Sequence, residues 1–151
     1  MAYFGDVFNL SEIREKLISD GYQFHSKKNG AETLSYLLHH YLEFDQLSPI
    51  DAMQKMMTKL KGHFAIMGLV EEGKWLMVGC RDYPLTMGQN NSTVYFCTES
   101  ETLAQFYPST ISVFGGEKPA IFCATSFQSE ILSPDSLEIL ARRLEFVLDL
   151  W

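Results

Sequence analysis

The stretch from Ala2 to Phe24, AYFGDVFNLSEIREKLISDGYQF, decides the fold class. Tyr3 to Val7 reads as a short strand or strand end. Asn9 is a good N-cap residue, and Glu12 follows three positions later, the spacing of a capping box. Leu10, Ile13, Leu17 and Ile18 recur at helical spacing and predict one apolar face. Gly21 then stops the helix as a left-handed residue past its end. The segment YQFHS alternates and predicts a second strand, closed by a KKNG turn. Strand, capped helix and strand in one run point to a mixed architecture.

Outward from this stretch the helical period continues. Leu34, Leu37, Leu38, Tyr41 and Leu42 mark the buried stripe of a helix from about Ala31 to Phe44. Ser48, Pro49 and Asp51 predict the start of a third, with Ile50, Met53, Met56, Met57 and Leu60 facing inward. A methionine stripe at that spacing is core packing. After Gly62 the period drops to two. HFAIMGLVEE, KWLMVGCRD, PLTMGQ and STVYFCTES predict consecutive strands joined by tight turns. ESETLAQF predicts a short helix. TISVFGG and KPAIFCATSF predict another hairpin around Gly115-Gly116. Ser133 and Pro134 then open a final amphipathic helix, with Leu137, Leu140, Leu144, Val147 and Trp151 along one side. The expected fold is α+β: two or three helices packed on antiparallel sheet, and one C-terminal helix.

Composition bounds the function. The chain has 151 residues, 46% hydrophobic and 21% charged, enough for one domain with a real core. Its formal charge is −7, so a phosphate backbone or an anionic membrane surface offers no attraction, and neither nucleic acid nor membrane is expected as a partner. No apolar run approaches the roughly 20 residues that span a bilayer. The N-terminus lacks the pattern of a signal peptide, so a cytoplasmic protein is expected. Cys80, Cys97 and Cys123 are widely spaced on apolar runs and read as core thiols. His39 and His40 are adjacent and diverge by about 100° on a helix. No metal and no cofactor is expected.

Four passages, taken in order, resemble the class II glutamine amidotransferase domain, in the form joined to glutamine–fructose-phosphate aminotransferase (glucosamine-phosphate synthase). FGDVFNLSEIREKLISDGYQF resembles the family's Asn-Gly, capped helix, Gly-Tyr and strand. AETLSYLLHHYLE resembles the helix after its Thr-Asp-Thr-Glu turn. KLKGHFAIMGL resembles its Leu-x-Gly-x-Tyr/Phe-Ala strand. CRDYPLTMGQNNSTVYFCTESETLAQF resembles its Arg-x-x-Pro-Leu-x-x-Gly hairpin and the helix that follows. The likeness runs from about Tyr3 to Phe122. It implies part of the αββα sandwich of N-terminal-nucleophile hydrolases, with an amidotransferase-like core over 1–125 and an extra C-terminal helix over 133–151, all in a single domain.

The resemblance also implies a chemistry, release of ammonia from glutamine by an N-terminal cysteine whose own α-amine acts as base. This chain opens Met-Ala-Tyr, and its cysteines are internal. The family's Asn-Gly, which supplies the oxyanion hole, is Phe4-Gly5 here. Its amine-binding acidic turn falls on Asn29 and Gly30, with Asn29 read as a turn residue of left-handed backbone. No catalytic residue is therefore expected in the chain itself, and Phe4, Gly5, Asn29 and Gly30 are what is left of a glutamine pocket. Three functions stay open: a binding or assembly module; one part of an active glutamine-dependent aminotransferase whose nucleophile lies on another chain; or a sensor of an amino acid or sugar phosphate. The final helix is read either as core or as the seam of a homodimer or partner contact through Leu137, Leu140, Leu144, Val147 and Trp151.

Overall fold

In the computed structural model, the described residues are 1–26, 29–70, 75–89, 94–98 and 101, with strand backbone also at 111–114, 120–125, 129–133 and 136–142. Strand β1 (Ala2–Val7) leads into helix α1 (Leu10–Ser19), followed by α2 (Gly30–Glu43) and α3 (Pro49–Lys59). The remaining strands are β2 (Gly62–Val70), β3 (Trp75–Arg81), β4 (Leu85–Gln89), β5 (Val94–Cys97), β6 (Ile111–Phe114), β7 (Ala120–Thr125), β8 (Ser129–Ser133) and β9 (Ser136–Arg142).

These strands form two antiparallel sheets. The larger has six strands in the order β1-β2-β3-β7-β8-β9, and the smaller has three in the order β5-β4-β6. The helices cover one face of the large sheet. There Phe64 and Ile66 of β2 and Met77 of β3 join Ile13, Leu17, Leu34 and the methionines of α3 in one buried cluster. The alternate residues, Ala65, Val78 and Cys80, cluster with Leu85 and Met87 of β4. The pleat thus sends odd and even positions into two different cores. A Cβ on Gly79 would lie 2.6 Å from Met53 Cε and 2.7 Å from Met57 Sδ, so α3 sits directly on β3.

Helix ends follow the sequence signals closely. Gly21, at φ 96°, donates to Ile18 O while Tyr22 N donates to Leu17 O, the double bond of a Schellman motif. Ser48 Oγ accepts from Asp51 N at 3.2 Å, and Pro49 opens α3. At the far end of α3, the Arg81 guanidinium donates to Leu60 O and Met57 O, each at 2.6 Å. A cation there also meets the negative end of the helix dipole.

Several expectations change. Asn9 does occupy the N-cap of α1, but its side chain makes no cap bond. Instead Nδ2 donates to Lys59 O at 3.0 Å and Oδ1 accepts from Lys61 N at 2.9 Å, which ties the start of α1 to the end of α3. Ile18 is exposed, on the outer side of α1. Residues 22–26 form no strand. They are a strap across α1 and α2: Tyr36 Oη donates to Gln23 O, Arg14 donates to Ser26 O, and the Arg14 guanidinium lies 3.9 Å from the Phe24 ring centre. Nor do β6 and β7 form a hairpin. β6 pairs with β4 in the small sheet and β7 with β3 in the large one. Asp82, at φ 47°, turns the chain out of the large sheet after β3. In place of the start of the C-terminal helix, Ser136–Arg142 is strand β9, paired with β8. Leu137, Ile139 and Ala141 alternate with Ser136, Glu138 and Arg142, and Leu140 alone breaks the alternation, so the segment fits a period of two nearly as well as the helical one, and pairing with β8 decides between them. Leu137 and Leu140 lie on β9, while Leu144, Val147 and Trp151 fall outside the described residues. The short helix expected from ESETLAQF also lies outside them beyond Glu101.

Candidate functional site

Edge strand β1 pairs with β2 in the register Phe4↔Ala65 and Gly5↔Phe64. Tyr3 and Val7 pack with the helix-side core. Phe4 points the other way, into the gap between the two sheets, and the residue is 58% exposed. It lines a cleft of about 250 Å³ together with Ala65, Met67, Val78, Leu85 and Phe96. Cys97 and Thr98 complete its described lining. Such a lining can hold an apolar group; among the described residues it includes no Asp, Glu, His or Lys for proton transfer.

Gly5 keeps the backbone form that the sequence suggested. Its φ is 84°, and a Cβ there would lie 2.3 Å from His63 O and 2.8 Å from the Tyr83 ring. Only glycine fits a left-handed position at that separation. Beside it, Asp6 Oδ2 lies 3.8 Å from His63 Nε2, and both side chains are at least half exposed. The Phe8 ring meets His63 edge-on at 5.0 Å.

Asn29 and Gly30 are brought to β1 by Tyr3. A Cβ on Gly30 would lie 2.4 Å from Tyr3 Oη, so the phenol rests against the first turn of α2. Asn29 is not left-handed: at φ −84° and ψ 104° it is the extended N-cap of α2. Its Oδ1 accepts from Ala31 N at 3.0 Å and Glu32 N at 3.4 Å. That acceptor is committed to the helix start. Glu32, in the same turn, accepts from His25 N at 2.7 Å and Ser26 N at 3.1 Å. The His25 backbone bond is the main cause of a carboxyl pKa below the ordinary glutamate range.

Of the four positions, Phe4 and Gly5 are adjacent on β1 and Gly30 reaches that strand through Tyr3. Phe4 faces the inter-sheet cleft rather than the Tyr3 side. Tyr3, Tyr83 and Glu32 carry much of the local geometry, and sequence reasoning passed over them as site residues. The close approach to Gly5 is the signal that points to Tyr83. Cys80 is buried, Cys97 is half-buried at the cleft, and the Cys123 side chain lies outside the described residues. Among the described residues no three His, Cys, Asp or Glu side chains group as a metal site, and no helix is long and apolar enough to cross a membrane.

Comparison with known proteins gives the family. Residues 1–105 match the model of the glutamine amidotransferase domain. A glutamine–fructose-6-phosphate aminotransferase of Bradyrhizobium diazoefficiens is 29% identical over 122 residues, 80% of this chain and 20% of that protein. The corresponding protein of Mesorhizobium japonicum is 28% identical over 114 residues, 75% of this chain and 18% of its own. The chain thus spans about a fifth of the length of these relatives. Among solved structures, glutamine phosphoribosylpyrophosphate amidotransferase from B. subtilis superposes with a TM-score of 0.62 at 15% identity, covering 95% of this chain and 28% of that one. The shared fold is that of N-terminal-nucleophile hydrolases, α+β with helices on antiparallel sheet. With a family match over more than two thirds of its length, the chain belongs to the glutamine amidotransferase domain family.

Proposed function

We propose that this domain serves binding or assembly and does not itself hydrolyse glutamine. The observation that carries the reading is Phe4: the position where the family resemblance expects an oxyanion-donating Asn holds an apolar ring turned into an apolar cleft. Loss of one such donor costs about 10²–10³ in turnover. Asn29 supports the same reading, since its side-chain oxygen caps α2. The ligand, on this reading, is an amino acid or sugar phosphate held without chemistry, or a partner protein, a second copy included. The setting is cytoplasmic, where three separated thiols stay reduced. Purified protein incubated with glutamine is expected to release no more glutamate than heat-inactivated protein. Release proportional to protein concentration would overturn the proposal.

A second reading is favoured by the relatives, whose names describe transfer from glutamine to fructose 6-phosphate and of which this chain spans a fifth. Here the chain is one part of such an enzyme and the nucleophile comes from another polypeptide. Glutamate release that appears only after a second polypeptide is added would select it.

A further inference from the structure

Strand β1 ends the six-stranded sheet on one side, with β2 as its neighbour in that sheet. Phe8 N donates to Lys61 O at 2.8 Å, which continues the β1–β2 ladder past Val7. In that register Ala2, Phe4 and Asp6 exchange main-chain bonds with β2. A peptide unit points its N–H and its C=O in opposite directions, so Tyr3 and Gly5 turn theirs to the open edge. Among the described residues, β2 alone hydrogen-bonds to the β1 main chain. The strand AYFGDV also carries none of the lysine or proline that commonly shields an edge, and its one charge is Asp6.

Apolar side chains gather at the same edge. Phe4, Phe8 and Leu69 are three of the large hydrophobics exposed among the described residues. They share one face. Phe4 lines the inter-sheet cleft, Phe8 meets His63, which is in register with Asp6, and Leu69 follows Ala65 and Met67 at the strand's period of two. An open edge with an exposed aromatic stripe beside it suits an added strand.

We infer that the added strand is β1 of a second copy of this chain, antiparallel to the first about a two-fold axis at Phe4. Tyr3 and Gly5 of each copy then exchange main-chain bonds with Gly5 and Tyr3 of the other. The two Phe4 side chains meet at the non-hydrogen-bonded pair between them, where cross-strand side chains come closest and aromatic pairs stabilise. Asp6 falls opposite Ala2, and the two Asp6 carboxylates stay about 14 Å apart along the strands, beyond the Debye length of about 8 Å. An axis at Gly5 would instead set Asp6 against Phe4 of the other copy and strip water from a carboxylate. The chain's net charge of −7 thus brings no like pair to the centre of the contact. Two-fold pairing closes on itself, so it gives a dimer and not a filament. This inference deepens the binding-or-assembly reading and rests on it, at a seam other than the C-terminal one expected from the sequence.

Sedimentation equilibrium of the full 151-residue chain tests it. Between roughly 1 µM and 1 mM protein, the range of weak to moderate self-association, the parent should pass from monomer to dimer and stop there. Phe4→Asp and Phe4→Lys each set like charges across the axis and should weaken the dimer by at least about tenfold. An equimolar mixture of the two variants should recover the dimer, because the charges at position 4 are then opposite. Amide exchange at Tyr3 and Gly5 should slow as the parent dimerises. A parent that stays monomeric across the range would overturn the inference, as would a dimer whose Tyr3 and Gly5 amides exchange as fast as in the monomer. So would a dimer that neither substitution weakens, or, with both variants giving the parent's circular dichroism, a mixture no more associated than its components. These measurements read mass and exchange rather than glutamate release. Absence of the dimer leaves the claim that the domain does not hydrolyse glutamine standing, and hydrolysis would leave the dimer standing.

Discussion

Asn9 offers a direct test of how the start of α1 is fastened to the end of α3. As a plain N-cap it would be replaceable by serine or aspartate, which cap as well as asparagine. In the structure its amide bridges two backbone groups instead, Lys59 O as donor and Lys61 N as acceptor, and the residue is 8% exposed. Asn9→Ala removes both bonds and leaves a carbonyl and an N–H short of partners. Two net bonds at about 0.5–1.5 kcal/mol each, with part of the desolvation cost of the orphaned groups, give a loss of roughly 2–4 kcal/mol. For a chain of this size that is a fall in Tm of roughly 4–16 °C. Asn9→Asp separates the two roles. Aspartate keeps an acceptor for Lys61 N but has no donor for Lys59 O and sets a carboxylate against that carbonyl. It should lose nearly as much as alanine. Urea unfolding followed by circular dichroism, with the m-value unchanged across variants, reads the difference. If Asn9→Asp, or Asn9→Ser, unfolds within about 0.5 kcal/mol of the parent, the bridge is not the function of this side chain and the cap is.

Two further outcomes follow from the site. The folded pKa of Glu32 lies below its ordinary range, first because of the His25 backbone bond. Its contribution is therefore complete above the ordinary glutamate pKa and disappears as pH falls through the lowered value. Glu32→Gln should flatten that part of the stability curve and speed amide exchange at His25 and Ser26; an unaltered acid limb would contradict the strap. Gly5→Ala places a Cβ 2.3 Å from a backbone carbonyl at φ 84°. A loss above about 3 kcal/mol is expected in thermal or urea unfolding; a loss under about 1 kcal/mol would mean that β1 shifts freely at this point.

The parts of the fold that were legible in the sequence are those whose cause is local. The Gly21 stop, the Ser48-Pro49 start and the inward stripes of α2 and α3 each depend on residues within a turn or two. The misread parts share a different cause. Asn9-x-x-Glu12 has the spacing of a capping box, yet the partners that claim Asn9 are 50 and 52 residues away. The RDYP turn between β3 and β4 and the Gly115-Gly116 segment between β6 and β7 have the chemistry of hairpin turns, but each joins strands of different sheets. Turn residues state that the chain reverses; they do not state which sheet it returns to. Ser136–Arg142 fits the helical period and, but for Leu140, a period of two as well, and the pairing with β8 settles which one is used.

The same distinction explains the site. Glycine at position 5 is dictated by backbone sterics, so it is kept whatever the domain does, and sequence alone could find it. Asn29 serves the start of α2, a need that any helix beginning there would have, so its presence says nothing of a ligand. Phe4 is the position where the two demands part. Its backbone only has to pair with Ala65, which nearly any residue allows, so packing does not require phenylalanine with 58% of its surface exposed. An exposed aromatic ring on an edge strand carries a cost in solubility that the fold does not need. On the binding reading proposed above, a ligand or partner would cover this ring; a chain carrying Phe4→Ser should then fold as well as the parent and lose that binding.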